Sequence, residues 1–227
     1  MESPIVPYRS PLPALELAPE HENLSGALCL QVAEFHPRSV TFRPATTVRI
    51  LHDGVRLGIW FRVEGETVKA SHTRFQDPVY EDSCVEAFFQ PFGQGPYVNV
   101  EVNALGTLLM SRIHDATRTR TGFAHWRPLT MDDTVGIKVA TSVRQPVPVE
   151  TLEPRNWHLS LRLPFSCLTL PGSDRAPWDR PWRANFFKCA DGSRSPHWAS
   201  WQPNGPDLNF HQPDRFGVLL LEPPRAG

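Results

Sequence analysis

Apolar and polar residues alternate at period two along much of this chain, the pattern of strands with one buried face. The clearest run is YVNVEVNA, in which Val98, Val100, Val102 and Ala104 form one side and Tyr97, Asn99, Glu101 and Asn103 the other. Just upstream, CVEAFFQP sends Val85, Ala87 and Phe89 one way and Glu86, Phe88 and Gln90 the other, and the intervening FGQG suits a hairpin turn. Similar runs at 47–52, 57–65, 106–113, 135–143, 157–164, 182–189 and 216–222 bring the expected total to about nine strands. Helical periodicity is nearly missing; the one helical turn expected is FSCLTL, directly after Pro164. Pro/Gly-rich connections between the runs predict an all-β fold, a two-sheet antiparallel β-sandwich over residues 26–222. Residues 1–25 read as a Pro-rich arm whose LPALEL segment docks on the surface, and 223–227 as a tail.

Length and composition narrow the partners. A chain of 227 residues fits one domain of this class. With 23 Lys and Arg against 24 Asp and Glu there is no global field to attract nucleic acid or an anionic membrane, so neither is expected as a partner. No apolar run reaches the roughly 18 residues of a membrane span, and the start MESPIVPYRSPLPALELAPEH lacks the basic end and apolar block of a secretion signal. A cytoplasmic protein is the expectation, or a secreted one if a leader has been removed. Cys29, Cys84, Cys167 and Cys189 show no CxxC spacing, which favours reduced thiols and argues against zinc.

Candidate chemistry sits on the polar faces. Asn99, Glu101 and Asn103 line one side of their strand, with Glu86 on the neighbouring one. Amides and carboxylates beside aromatic rings suit a sugar, whose hydroxyls take paired hydrogen bonds while its apolar faces stack. The ordinary alternative is a solvated sheet face. Between strands, SRIHDATRTRTGFAHWRPL interleaves Arg112, Arg118, Arg120 and Arg127 with Phe123, His125 and Trp126, a loop that reaches over a groove with Trp126 as platform, or one that seals a sheet end. Glu86 and Glu101 raise the alternative of a glycoside-processing enzyme using paired carboxylates. No GxSxG, phosphate-binding glycine loop or HExxH is present. Two sets of oxygen donors, Asp77, Glu81, Asp82 and Glu86, then Asn204, Asp207, Asn209 and Asp214, are of the kind that holds a structural calcium, without an EF-hand pattern.

Three stretches in order, VYEDSCVEAFFQP, YVNVEVNALGTLLMSR, and WRANFFKC leading through SPHWASWQP to LNFHQPDRFGVLLLE, resemble carbohydrate-binding module family 9 over roughly residues 25–222. The resemblance implies a β-sandwich that holds a sugar, often a terminal unit, between aromatic rings. The family's acidic D-S-x-V-E strand matches Asp82, Ser83, Val85 and Glu86, with Tyr80 as the aromatic before it, where some members carry a tryptophan. By this likeness Glu86 accepts from hydroxyls, Arg112 donates from a following strand, and Tyr80 with Trp198 or Trp201 supplies ring faces. Trp198 and Trp201 are three residues apart, so an extended chain turns them to opposite faces, and Trp198 is the better choice. Proteins of the same fold hold haem b through a methionine and a lysine or histidine, a role open here to Met110 and Lys188, which otherwise read as a core filler and a surface charge.

The expectation is therefore non-catalytic binding of a mono- or oligosaccharide, with no cofactor, through Tyr80, Glu86, Asn99, Glu101, Arg112, Trp126, Trp198 and Trp201. A separate glycoside hydrolase is the partner such a module calls for. An electron-transfer domain and a protein-interaction domain are the other readings.

Overall fold

The alternation in residues 84–103 builds the centre of the larger of two sheets. The structure, a computed structural model, describes residues 3–16, 18–39, 42–170 and 174–224. Leu17 at the end of LPALEL and residues 225–227 of the expected tail lie outside that set.

In chain order the strands are β1 (Ile5–Val6), β2 (Leu28–Gln31), β3 (Glu34–Phe35), β4 (Ala45–His52), β5 (Arg56–Glu66), β6 (Cys84–Gln90) and β7 (Tyr97–Asn103). They continue with β8 (Leu108–Thr119), β9 (Gly122–Pro128), β10 (Lys138–Thr141), β11 (Arg155–Pro164), β12 (Trp182–Cys189), β13 (Trp198–Ser200) and β14 (Gly217–Leu221). The larger sheet runs β1-β14-β12-β6-β7-β8-β9, with β13 and β3 added beside β12; the smaller runs β10-β11-β5-β4-β2. All pairings are antiparallel except β1 with β14. The protein is thus a β-sandwich, as the alternation implies.

The inner faces supply the core. Val85, Ala87 and Phe89 of β6, Val98, Val100 and Val102 of β7 and Phe186 of β12 meet Ile59, Phe61 and Val63 of β5 and Trp157, Leu159 and Leu161 of β11. Burying such side chains gains about 1.5–3 kcal/mol each, which fixes the register, because a slip of one residue would turn the whole set outward. Among the described residues the one α-helix, α1 (Phe165–Leu168), follows Pro164 as expected. The N-terminal arm does dock: β1 extends the larger sheet, and Leu12 packs beside Leu24, Leu51 and Trp60.

Five strands escaped the pattern: β1, β2, β3, β9 and β13. The largest departure is the Arg-rich stretch expected as a loop. It is a long hairpin, in which β8 runs on to Thr119 and returns as β9. Its residues beyond Ile113 are mostly exposed on both faces, so no period-two apolar signal marks them. Gly122 closes the turn at φ +135°, where a Cβ would stand 3.0 Å from the Trp126 indole nitrogen, so glycine lets that ring lie against the turn.

Candidate functional site

The outer faces of β6 and β7, the polar sides of the alternation, are buried as fully as the inner ones. What covers them is the β8–β9 hairpin and the segment 208–211, which leave a cavity of about 490 Å³ between themselves and the sheet. That volume lies within the ordinary range for small-ligand sites.

The floor is acidic. Glu86 and Glu101 are direct cross-strand partners on β6 and β7. Asn99 Nδ2 donates to Glu101 Oε1 at 2.6 Å, while Asn99 Oδ1 accepts the Ser111 amide at 2.9 Å, which fixes the amide's orientation. Cys189 Sγ donates to Glu86 Oε1 at 3.0 Å. Glu101 Oε2 is buried and has no hydrogen-bond partner. No ion pair among the described residues involves either glutamate. Burial, with Cys189 and Glu101 close by, therefore pushes the Glu86 carboxyl well above its usual range. Burial also raises Glu101, to about 7, against the opposing hydrogen bond from Asn99. Asp191 at the rim is raised by burial as well, although the Trp198 indole donates to it at 2.6 Å.

The walls are aromatic. Tyr80 is 40 % exposed and Trp126 38 % exposed, and they stand with Trp198, Phe123 and Phe210 around the opening. Phe210 is held by stacking on Phe187, with centroids 4.2 Å apart and an interplanar angle of 15°. Arg118 lies 4.3 Å over the Phe123 ring and reaches Asn209 Oδ1 at 3.4 Å. At the back, Tyr97 and His211 share a hydrogen bond of 2.8 Å; burial and the nearby Arg118 lower His211 to about 3, so the imidazole is neutral at physiological pH.

Tyr80 is positioned by the turn before β6. The Asp82 carboxylate, fully buried, accepts the Ser71 and His72 amides, the Ser71 hydroxyl and the Asn103 side chain, all at 2.8–2.9 Å. Asp82 is thus spent on locking the turn, and Glu81 pairs with His72 and Asp77 with Arg74, so the first oxygen-donor set is divided among separate partners.

Six of the eight residues expected from the sequence line this cavity: Tyr80, Glu86, Asn99, Glu101, Trp126 and Trp198. Two do not. Arg112 faces the other side of β8 and donates to the Cys167 and Leu168 carbonyls at the end of α1, at 3.2 and 3.3 Å. The arginine over the cavity is Arg118. The two are an even number of residues apart, but the pairing of β8 with β9 is irregular between Ile113 and Asp115 and again between Asp115 and Arg118, so strict alternation does not carry from one to the other. Trp201 packs inward on Phe186 at 5.9 Å, in room left by Gly217, where a Cβ would come within 2.7 Å of the indole. Arg118 and Phe123 belong to the Arg-rich stretch expected to reach over a groove, although the sequence reading favours Arg112 there; residues missed by sequence reasoning include Cys189, Asp191, Phe210 and His211. Cys189 ends β12 and the others come from loops, all brought together only by the fold.

Met110 and Lys188, the pair open to haem, are both fully buried on the inner face, so Lys188 is not a surface charge. Met110 is packed within the hydrophobic core between the sheets. Lys188 Nζ is instead bonded to Glu66 Oε1 at 2.7 Å. Among the described residues no helix is long and apolar enough to cross a membrane.

The comparisons with known proteins bear on the family and the fold. The model for carbohydrate-binding family 9 matches residues 24–221. A structure described as a candidate carbohydrate-binding protein, from Bacteroides uniformis, is 24 % identical with a TM-score of 0.81, covering 97 % of this chain and 100 % of its own. A family 9 module from Caldicellulosiruptor kristjanssonii in complex with glucose has a TM-score of 0.62 at 13 % identity, covering 98 % of this chain and 97 % of its own. The same organism's module in complex with cellotriose gives 0.62 and 13 %, covering 99 % and 95 %. No curated protein matches the chain.

Proposed function

This chain belongs to carbohydrate-binding family 9, and on that premise we propose that the outer-face cavity binds a mono- or oligosaccharide without chemical change. Rings of Tyr80, Trp126 and Trp198 stack on the sugar faces, and the hydroxyls are bonded by Glu86, Glu101 and Asn99, with Arg118 as a donor at the rim. The observation that carries this reading is Glu101 Oε2, a buried acceptor without a partner, beneath a cavity walled by half-exposed aromatic rings. A sugar hydroxyl is a donor of the right kind: it satisfies the oxygen without needing a full counter-charge.

Calorimetric titration with glucose and cellotriose tests the proposal. Saturable heat is expected for the wild type. Trp198→Ala should weaken binding about tenfold and Glu86→Ala at least as much, since one ring contact or hydrogen bond is worth about 1–1.5 kcal/mol. No heat with any of a panel of sugars would end the reading. Family modules of this type are generally non-catalytic, so cellotriose should remain intact after prolonged incubation; release of glucose would replace binding with hydrolysis at Glu86 and Glu101. A module of this kind works beside a catalyst, and a separate glycoside hydrolase remains the expected partner. Family membership lends no support to the cytoplasmic placement expected from the sequence.

A further inference from the structure

We propose that Cys84, Cys189 and Glu86 form a zinc site in the floor of the cavity, with three protein ligands and a fourth position open towards the cavity. Cys84 and Cys189 are direct cross-strand partners on β6 and β12, and Glu86 lies two residues from Cys84 on the same face. Their ligating atoms all fall within 4.8 Å of one another, and all three residues are buried. A tetrahedral centre with Zn–S of about 2.3 Å and Zn–O of about 2.0 Å separates its ligands by roughly 3.5–3.8 Å, so small rotations of the side chains close the site. Cys189 Sγ already lies 3.0 Å from Glu86 Oε1.

The donor set selects the metal. Two thiolates and one carboxylate suit zinc, whereas calcium and magnesium take oxygen ligands throughout. Zinc sites that keep a position for water or substrate commonly have three protein ligands, and here Cys189 and Glu86 line the cavity, which gives the ion its way in. The second observation is again Glu101 Oε2, a buried carboxylate oxygen in the same cavity with no partner, an acceptor for a water on the open position. Electrostatics favour a cation as well. The neighbouring cationic side chain, Lys188, points to the opposite face and is bonded to Glu66, and among the described residues no ion pair reaches Glu86 or Glu101. On binding, each thiol and the Glu86 carboxyl give up their protons to solvent and the freed lone pairs take the ion, so about two to three protons should leave per zinc. The ligands come from strands far apart in the chain and show no spacing motif, which is why the cysteine pattern argued against zinc.

The test uses the metal alone and so stands apart from the carbohydrate reading. Reduced, metal-stripped protein with all four thiols free is titrated with Co²⁺ and then with Zn²⁺. The expected result is one Co²⁺ per chain with sulfur-to-cobalt charge-transfer absorption, displaced by Zn²⁺ with release of protons. Cys29→Ser, at the exposed cysteine, should leave this unchanged. Cys189→Ala should abolish the absorption and weaken affinity more than tenfold while the metal-free urea midpoint stays close to that of the wild type. If Cys189→Ala fails to fold, Glu86→Gln should remove the stoichiometric binding. Absence of charge-transfer absorption in the wild type, or its persistence in Cys189→Ala or Glu86→Gln, would overturn the proposal.

Discussion

The larger sheet meets buried carboxylates in opposite ways on its two faces, one reaching its inner face from the smaller sheet and two standing on its outer face. On the inner face Glu66 is fully buried, yet it accepts from Lys188 Nζ at 2.7 Å and from the Trp157 indole at 2.7 Å, with His197 Nε2 at 3.4 Å. Burial alone would raise its pKa, but the Lys188 charge and these hydrogen bonds outweigh that and hold it at about 2. On the outer face Glu86 and Glu101 are buried just as deeply without an ion pair, Arg118 opposing the rise of Glu101 only in part, and both are raised. Neighbours on β12 make the contrast sharp: Lys188 turns inward to complete an ion pair between the two sheets, and Cys189 turns outward to Glu86. A satisfied buried charge belongs to the architecture. An unsatisfied one beside a cavity is waiting for a ligand.

The contrast breaks first at the inner pair. Glu66→Gln leaves the Lys188 ammonium buried without a counter-charge and should cost about 3–5 kcal/mol, read from urea denaturation at pH 7. A loss below about 1 kcal/mol would mean that the pair does not hold the sheets together. Trp201→Ala, also on the inner face, should cost about 3 kcal/mol, the low end for a tryptophan because the ring is only partly buried, and should leave the sugar affinity of the folded protein unchanged.

The outer face should respond with the opposite sign. Glu101 binds its proton more tightly folded, at about 7, than at its ordinary 4.5. Below 4.5 both states are protonated and nothing is lost; as pH rises through 7 the folded state must carry a buried charge, so stability falls across that window. Glu66 works the other way: its contribution is complete above 4.5 and drains away as pH drops towards 2. Glu101→Gln should therefore stabilise the protein by about 3 kcal/mol at pH 8 and by almost nothing at pH 4, the rise from 4.5 to about 7 corresponding to an energy of that order. Equal effects at both pH values would show that the carboxyl is not the strained group.

Much of this was legible in the chain. Alternation gave the long strands, the hairpin at FGQG and the face on which Asn99 and Glu101 lie, because period two translates directly into two faces once a core exists. The odd spacing of Trp198 and Trp201 likewise separated a cavity ring from a core ring. Arg112 and Arg118 mark where such reading stops. Facing is inherited from residue to residue only while the register is unbroken, and the irregular pairing of β8 beyond Ile113 breaks it. The burial of Lys188 was equally hidden, since its partner Glu66 comes from the other sheet and no local pattern announces a pair between layers. The cluster of Cys84, Glu86 and Cys189 is hidden for the same reason, being a property of strand neighbours rather than of spacing.

The central claim is that the outer-face carboxylates are left unpaired for a sugar. It is tested most directly by calorimetric titration of metal-free protein with cellotriose at pH 5.5 and pH 8. Hydroxyl donors stabilise the ionised form of Glu101, so the bound state should have the lower pKa and the affinity should rise with pH, about tenfold for each unit by which the ligand lowers it. In Glu101→Gln that rise should disappear. Equal affinity at the two pH values in the wild type, or tighter binding at pH 5.5, would contradict the account.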